Sequence, residues 1–523
     1  MRDATEPGPA LPVAEPLAGD GGLLAFLRRQ PWRVFLVIFA VWAVFATLHL
    51  VVRRAHPSPF VAVWFPISQF WGPAIHRRGL PYAALFLGVL FVALKNVRRL
   101  GVGSLWLVGL SLILLGNLEQ GSVRAAFLDP LDAFGIQYFN DAVKITSWTQ
   151  WLADFNANQP TLLGHSETHP PFAVLIHYWC FHLFGGSLAG LGAAMILLAS
   201  LAVPIVWLCL GAIGAPTERR NLLTLLFAAI PAFNIYSAVS LDAVIATAAS
   251  LFLLGLLLVM ERPNAVALGI ALCSVGFVLT NLLTFGGSFL LAIGLVLALR
   301  EVALRMCPAS LPSPFGRGAG GEGGCVEQTG ELRSSSDRPH PNPLPKGEGT
   351  VSRRALWSRN RVALAVAASA VSLSAVVFLM HALLGYNHVQ GFLTASKIEN
   401  PYGFRGFYEP AIYFITRSMA VGEIALFLSL GCLAALLSRK ALAGSMLRLR
   451  DDATATALCA LGVLAAMFVA GAYHNGETGR ACLFIYPFLL LLFARADWTL
   501  LKDLVVLAGL QTSAMQLFGG YSW

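Results

Sequence analysis

Charge is what this sequence has least of. Only 12% of its 523 residues are Asp, Glu, Lys or Arg, about half the share of a soluble domain. That scarcity excludes the chain of soluble domains which the length alone would suggest. Acidic residues are the rarer kind, 27 against 36 Lys and Arg, for a net charge of +9. Paired cysteines are absent too: the eight cysteines include no CxxC. Most of them sit inside apolar runs, where a thiol acts as a small hydrophobe. The N-terminal stretch MRDATEPGPALPVAEPLAGD is Pro-rich and acidic, unlike a signal peptide.

What the chain has in place of charge is long apolar runs. It is 57% hydrophobic with a mean hydropathy of +0.69. Apolar runs of about 20 residues can satisfy their own backbone hydrogen bonds in lipid as helices. The expected fold is all-α, a polytopic transmembrane bundle of about thirteen spans. They fall near 34–52, 81–95, 101–118, 187–210, 221–238, 243–260, 264–281, 283–304, 361–384, 411–437, 453–471, 480–494 and 499–516. The run 60–75 contains Pro66 and Pro73 and reads as re-entrant or interfacial. The stretch 172–184, within PFAVLIHYWCFHLF from Pro171 onward, is too short for a core about 30 Å thick. It reads as a helix lying in the interface.

Four regions follow from this pattern. Residues 1–33 form a disordered cytoplasmic terminus, and 34–304 an N-terminal transmembrane region whose loop 119–186 is exoplasmic. Residues 305–360 are a low-complexity cytoplasmic insertion, with LPSPFGRGAGGEGG and HPNPLPKGEGT as two loose copies of one Pro/Gly pattern unable to fold alone. Residues 361–523 form a C-terminal transmembrane region. With Lys95, Arg98 and Arg99 cytoplasmic, that side also collects Arg219, Arg220, Arg262, Arg439, Lys440, Arg448, Arg450, Arg495 and Lys502. Beyond residue 186 the other side keeps only Lys397, Arg405, Arg417 and Arg480. The asymmetry obeys the positive-inside rule. The basic excess therefore reflects topology and not nucleic-acid binding.

Ionisable residues at the exoplasmic edge are costly and so informative. They gather in four separated segments: the loop 119–186 with Asp129, Asp132, Asp141, Lys144, Asp154, His165, Glu167 and His169; Asp242 at a helix start; the loop GYNHVQGFLTASKIENPYGFRGFYEP; and the turn YHNGETGR. A site at the membrane–water boundary explains that clustering.

The segment HSETHPPFAVLIHYWCFHLFGGS resembles the Pro-Pro motif of GT-C glycosyltransferases, the class of protein O-mannosyltransferases and of the aminoarabinose transferase of lipid A. In that class an acidic residue opens the first exoplasmic loop, and a Lys or His followed by Pro-Pro comes later in the same loop. Asp141 stands in that relation to His169-Pro170-Pro171. A second acidic residue of the class then starts a transmembrane helix further along, after a Pro-containing helix and a Ser. Here PAFNIYSAVSLDAV places Asp242 in that position. GETGRACLFIYPFLLLL is similar to a GE..R pattern in some members. The chain departs from the class in having Asp141-Ala142 for a common Asp-Glu pair. It also has His169 for the Lys of the aminoarabinose branch, which makes the charge there depend on pH.

The resemblance implies transfer of a sugar from a polyprenyl-phosphate donor to a hydroxyl of a glycan, lipid or protein on the exoplasmic face. The protein would lie in the membrane, bacterial plasma membrane being the expected one. A carboxylate must then act as general base, and cations must meet the departing phosphate. Asp141 is the expected base, with Asp129 or Asp132 as substitutes. His169, Arg480 and Arg405 are the expected phosphate ligands, and Glu167, Asp242 and Glu477 supporting residues. Pro170-Pro171 works against helical metal ligation by His165, Glu167 and His169, so no metal or other cofactor is expected. The rival reading is a polytopic transporter or lipid flippase, for which mid-membrane charges and inverted repeats would be the signal.

Overall fold

The computed structural model describes residues 70–73, 75–132, 135–306, 360–437, 451–473 and 477–521. The terminus 1–33, the span 34–52, most of the run 60–75 and residues 307–359 of the insertion lie outside them. What is described is an all-helical bundle with one two-stranded sheet. Among the described residues, eight helices are long and apolar enough to cross a membrane, as in a multi-pass membrane protein.

In chain order, β1 (Phe70–Pro73) leads to α1 (Leu80–Lys95) and α2 (Val102–Leu118). A run of short helices follows, among them α3 (Tyr138–Ala142) and α4 (Gly164–Glu167). Next comes α5 (Pro171–Leu183), the 13-residue helix after the Pro-Pro pair. At 1.5 Å per residue it spans about 20 Å, short of a bilayer core. Its Trp179 meets Trp148 and Phe172 edge-on or tilted, and both tryptophans are more than a third exposed, as suits an interface.

The chain then builds its interior. It runs through α6 (Leu188–Ser200), α7 (Ala202–Ala212), α8 (Thr217–Ala229), α9 (Pro231–Tyr236), α10 (Leu241–Glu261), α11 (Val266–Leu283) and α12 (Ser288–Met306). After residue 360 come α13 (Arg361–Leu384), α14 (His388–Glu399), α15 (Pro410–Leu428), α16 (Leu430–Leu436), α17 (Asp452–Val469), α18 (Thr478–Ala481) and α19 (Trp498–Phe518). The tightest crossing is α10 on α11, and glycine makes it possible. A Cβ on Gly255 would lie 2.5 Å from the Gly269 carbonyl, and one on Gly276 2.4 Å from the Phe252 nitrogen. Between apolar helices in lipid, close backbone approach replaces the hydrophobic drive. Gly276→Leu should therefore cost about 1–3 kcal/mol by overpacking, read as a lowered thermal midpoint in detergent; an unchanged midpoint would refute the tight crossing.

Several expected spans are broken, and the cause can be named. The run 221–238 splits at Ile230, whose extended ψ of 144° precedes Pro231. Proline disfavours helix in the residue before it and cannot donate. The freed carbonyls are met from elsewhere: Asn234 Nδ2 donates to Ala228 O at 3.3 Å and Thr512 Oγ1 to Ala229 O at 2.7 Å. The run 411–437 splits at Ser429, with φ at 93°. Gln511 spans that gap, accepting from Leu430 N at 2.9 Å and donating to Leu426 O at 2.8 Å. The run 480–494 becomes short helical and 3₁₀ turns, buried throughout from Leu483 to Phe493. Irregular backbone at such depth is tolerated where protein surrounds it. The expected re-entrant segment 60–75 contributes β1, which pairs antiparallel with β2 (Gly519–Tyr521).

Basic residues lock together one end of the bundle. Arg98 meets Glu218 at 3.3 Å, Arg300 meets Asp452 at 2.7 Å and Arg495 meets Asp451 at 2.7 Å. Arg262 donates to the Gly211 and Ala212 carbonyls that end α7. The segments singled out for chemistry lie at the opposite ends of these helices.

Candidate functional site

Distant parts of the chain converge on a cavity of about 400 Å³. Three segments well apart in sequence reach it: the stretch around His165 and His169, the start of α10 with Asp242, and the turn with Glu477 and Arg480. Helix α14 supplies Phe392, Ala395 and Glu399, and the 284–286 turn before α12 closes another wall.

Local geometry aims each group. Asp242 sits in the first turn of α10, capped by Ser240, whose Oγ accepts from Asp242 N at 3.0 Å. Val239 just before holds φ at 61°, a costly conformation for a β-branched residue that surrounding structure must enforce. Tyr473, which lines the cavity, holds φ at 57°. Two of the three non-glycine residues with positive φ among the described residues therefore flank this site.

Arg480 is the centre of charge. Its side chain is 6% exposed; Nη2 contacts Glu477 Oε2 at 2.5 Å and Nε lies 3.4 Å from Asp242 Oδ2. Helix α15 braces both arms of the chain that carries it. Arg417 donates to the carbonyls of Phe468 (2.9 Å), Ala472 and Tyr473 (3.0 Å). Further along the same helix, Glu423 Oε2 accepts from Gly479 N at 3.1 Å. Arg417 is thus a cap on the end of α17, as cations near helix C-termini often are.

The histidines are packed around Tyr138. Its ring centroid lies 5.8, 5.4 and 5.4 Å from those of His165, His169 and His177. His169 Nδ1 is 3.1 Å from His165 O. A carbonyl only accepts, so Nδ1 carries the proton and Nε2 is left as an acceptor. Burial lowers the His169 pKa to about 3, helped by His165 and opposed by the His165 carbonyl bond. Burial and then Arg480 lower His165 to about 4, against Glu477. Both are neutral at pH 7, so the imidazolium considered for His169 does not form there.

This has a consequence for stability. The folded state binds these protons less readily than the unfolded chain, whose ordinary value is 6.5. Stability is complete above about 6.5 and is lost as pH falls towards 4 and then 3. The thermal midpoint should fall less steeply over that window in His169→Gln than in the parent; equal slopes would refute the assignment.

The cavity takes in His169, Arg480, Asp242 and Glu477 of the expected site residues, and leaves out Asp141, Arg405 and Glu167. Asp141 is 4% exposed. Its Oδ1 meets Lys144 Nζ at 2.9 Å and its Oδ2 accepts from Leu163 N at 2.9 Å. Its carboxylate thereby ties α3 to the residue preceding α4, which carries His165. Arg405 pairs with Glu409 at 3.4 Å. Gln159 Nε2 donates to the Glu167 carbonyl at 2.9 Å. Asp129 and Asp132 hold Arg124 and Asn140.

Residues without a motif complete the site: Tyr138, Glu399, Asn400 and Tyr473. Burial, with Glu477 and Glu167 nearby, raises the Glu399 carboxyl above its ordinary 4.5, and Arg405 opposes this. Among the described residues no group of three or more His, Cys, Asp or Glu is placed to hold a metal ion. Known family models, curated proteins and solved structures were each compared with the chain, and none matches.

Proposed function

We propose that this protein is a GT-C-type membrane glycosyltransferase that moves a sugar from a polyprenyl-phosphate donor to an acceptor hydroxyl on the exoplasmic face. One observation carries the reading. The three stretches by which the sequence resembles that class meet at one cavity, through His169, Asp242 and the Glu477–Arg480 turn. The basic residues of the opposite end support a cytoplasmic side there by the positive-inside rule. The span 34–52 and broken runs such as 221–238 and 480–494 belong to the thirteen-span architecture of this reading.

The donor is a phosphodiester with a single negative charge, matched to the Arg480 guanidinium. Arg480 presents a planar fork of N–H donors suited to phosphate oxygens. Of its two carboxylate partners, Glu477 is the more exposed, 25% against 19% for Asp242. An entering phosphate displaces Glu477, while Asp242 keeps the guanidinium in place. Neutral His169, with Nε2 accepting, takes a hydroxyl of the sugar or acceptor in place of the phosphate role first expected of it.

The acceptor oxygen forms the new bond to C1, and the bond from C1 to the phosphate oxygen breaks. Its electron pair stays on the phosphate beside Arg480, and the acceptor proton passes to a carboxylate. Glu399, on the cavity wall at the end of α14 and raised in pKa first by burial, takes the part of base. Asp141 positions the His165 segment from behind. The rate should rise with pH along a limb above the ordinary 4.5 of a glutamate. Glu399→Gln should remove that limb and most of the turnover while the donor still binds. The assay is a purified protein in liposomes, polyprenyl-phosphate sugars and a pH series. An unaltered limb in Glu399→Gln would move the base elsewhere.

A further inference from the structure

A second depression of about 650 Å³ adjoins the cavity, within the roughly 300–1,000 Å³ usual for small-molecule sites. Helix α14 and the residue that caps it divide the two. Phe392, Ala395 and Glu399 face the cavity, whereas Gln390, Leu393, Thr394 and Lys397 line the groove. Those sets follow helical spacing on adjacent faces. Ser396 and Asn400 line both spaces and form the ridge between them.

The groove has a particular chemistry. Gln390 and Asn400 each offer an amide that donates and accepts, Thr394 and Ser396 offer hydroxyls, and Lys397 offers an ammonium. Its apolar wall is formed by Phe404, 36% exposed, together with Leu393 and Ala470. That ring is fixed edge-on by Phe407 at 5.1 Å and Tyr413 at 5.2 Å. It also lies against Gly471, where a Cβ would come within 3.3 Å of it; Gly471 itself lines the cavity. A rigid aromatic face opposite amides and hydroxyls suits a ring with one C–H face and a rim of hydroxyl groups.

We infer that this groove is the acceptor subsite and that the acceptor is a saccharide. The inference rests on the transferase reading for its direction: the sugar lies on Phe404, and one hydroxyl reaches over the Ser396–Asn400 ridge. There it meets Glu399, the residue beside Asn400 at the same helix end. The oxygen–C1 bond forms as the C1–phosphate bond breaks, with the proton passing to Glu399.

The test uses the full chain in lipid nanodiscs and a panel of methyl glycosides at millimolar concentration, read by saturation-transfer NMR. At least one glycoside should receive saturation, and Phe404→Ala and Thr394→Trp should each reduce it five-fold or more. Both variants should retain polyprenyl phosphate as the parent does, which separates loss of the groove from loss of the fold. No saturation of any glycoside, or full saturation in Thr394→Trp, would overturn the subsite. Transfer with an unchanged acceptor KM in Thr394→Trp would also overturn it while leaving the transferase reading intact. Glycosides that bind in the groove of a protein that transfers nothing would keep the subsite and sink the transferase.

Discussion

Arg480→Gln is expected to reduce transfer by about 10²–10³-fold, the usual loss when a group that stabilises developing charge is removed. Arg480 is the cation at the cavity's charge centre, held by Asp242 and Glu477. Removing it also strands two half-buried carboxylates, which should lower the thermal midpoint. The two effects can be separated. Arg480→Gln combined with Asp242→Asn deletes one of the two stranded charges and leaves Glu477, so the thermal midpoint should recover in part while transfer stays lost. Arg480→Lys keeps the charge but not the fork, and should bind donor more weakly than the parent. Transfer restored by the double variant would mean that Arg480 only balances charge.

Glu423→Ala should have the next largest effect. The variant removes the carboxylate oxygen that accepts from Gly479 N, and a hydrogen bond to a charged group contributes about 1.5–3 kcal/mol. It also loosens the residue next to Arg480; displacement of a positioned group by about 1 Å can cost roughly 10²-fold in rate. Glu423→Gln retains an acceptor oxygen and should restore most of the turnover. Equal damage from both would assign the effect to the charge of Glu423 and remove its positioning role.

The sequence and the structure agree most where chemistry is local. Apolar length set out the helices, and His169, Asp242, Glu477 and Arg480 were legible from short motifs. Pro231 carries the local signal for the break in 221–238, although that run is expected as a single span. The break at Ser429 could not be read, because its compensation by Gln511 comes from a helix far along the chain. The surroundings of Asp141 were hidden for a similar reason. An acidic residue in a polar loop looks available until the chain returns and Leu163 N occupies one oxygen. Tyr138, Glu399 and Tyr473 lie in segments singled out in the sequence, yet only tertiary contact picks these residues out for the cavity. The neutral state of His169 likewise depends on burial, which no spacing reveals.

In the proposed reading the cavity around Arg480 holds a polyprenyl-phosphate sugar. Native mass spectrometry of the protein released from nanodiscs made with its host membrane tests it directly. The expected result is a bound species with the mass of a polyprenyl-phosphate sugar, present on the parent and lost from the Arg480→Gln/Asp242→Asn variant. Ordinary phospholipids alone on the parent, or the same glycolipid retained by that variant, would contradict it.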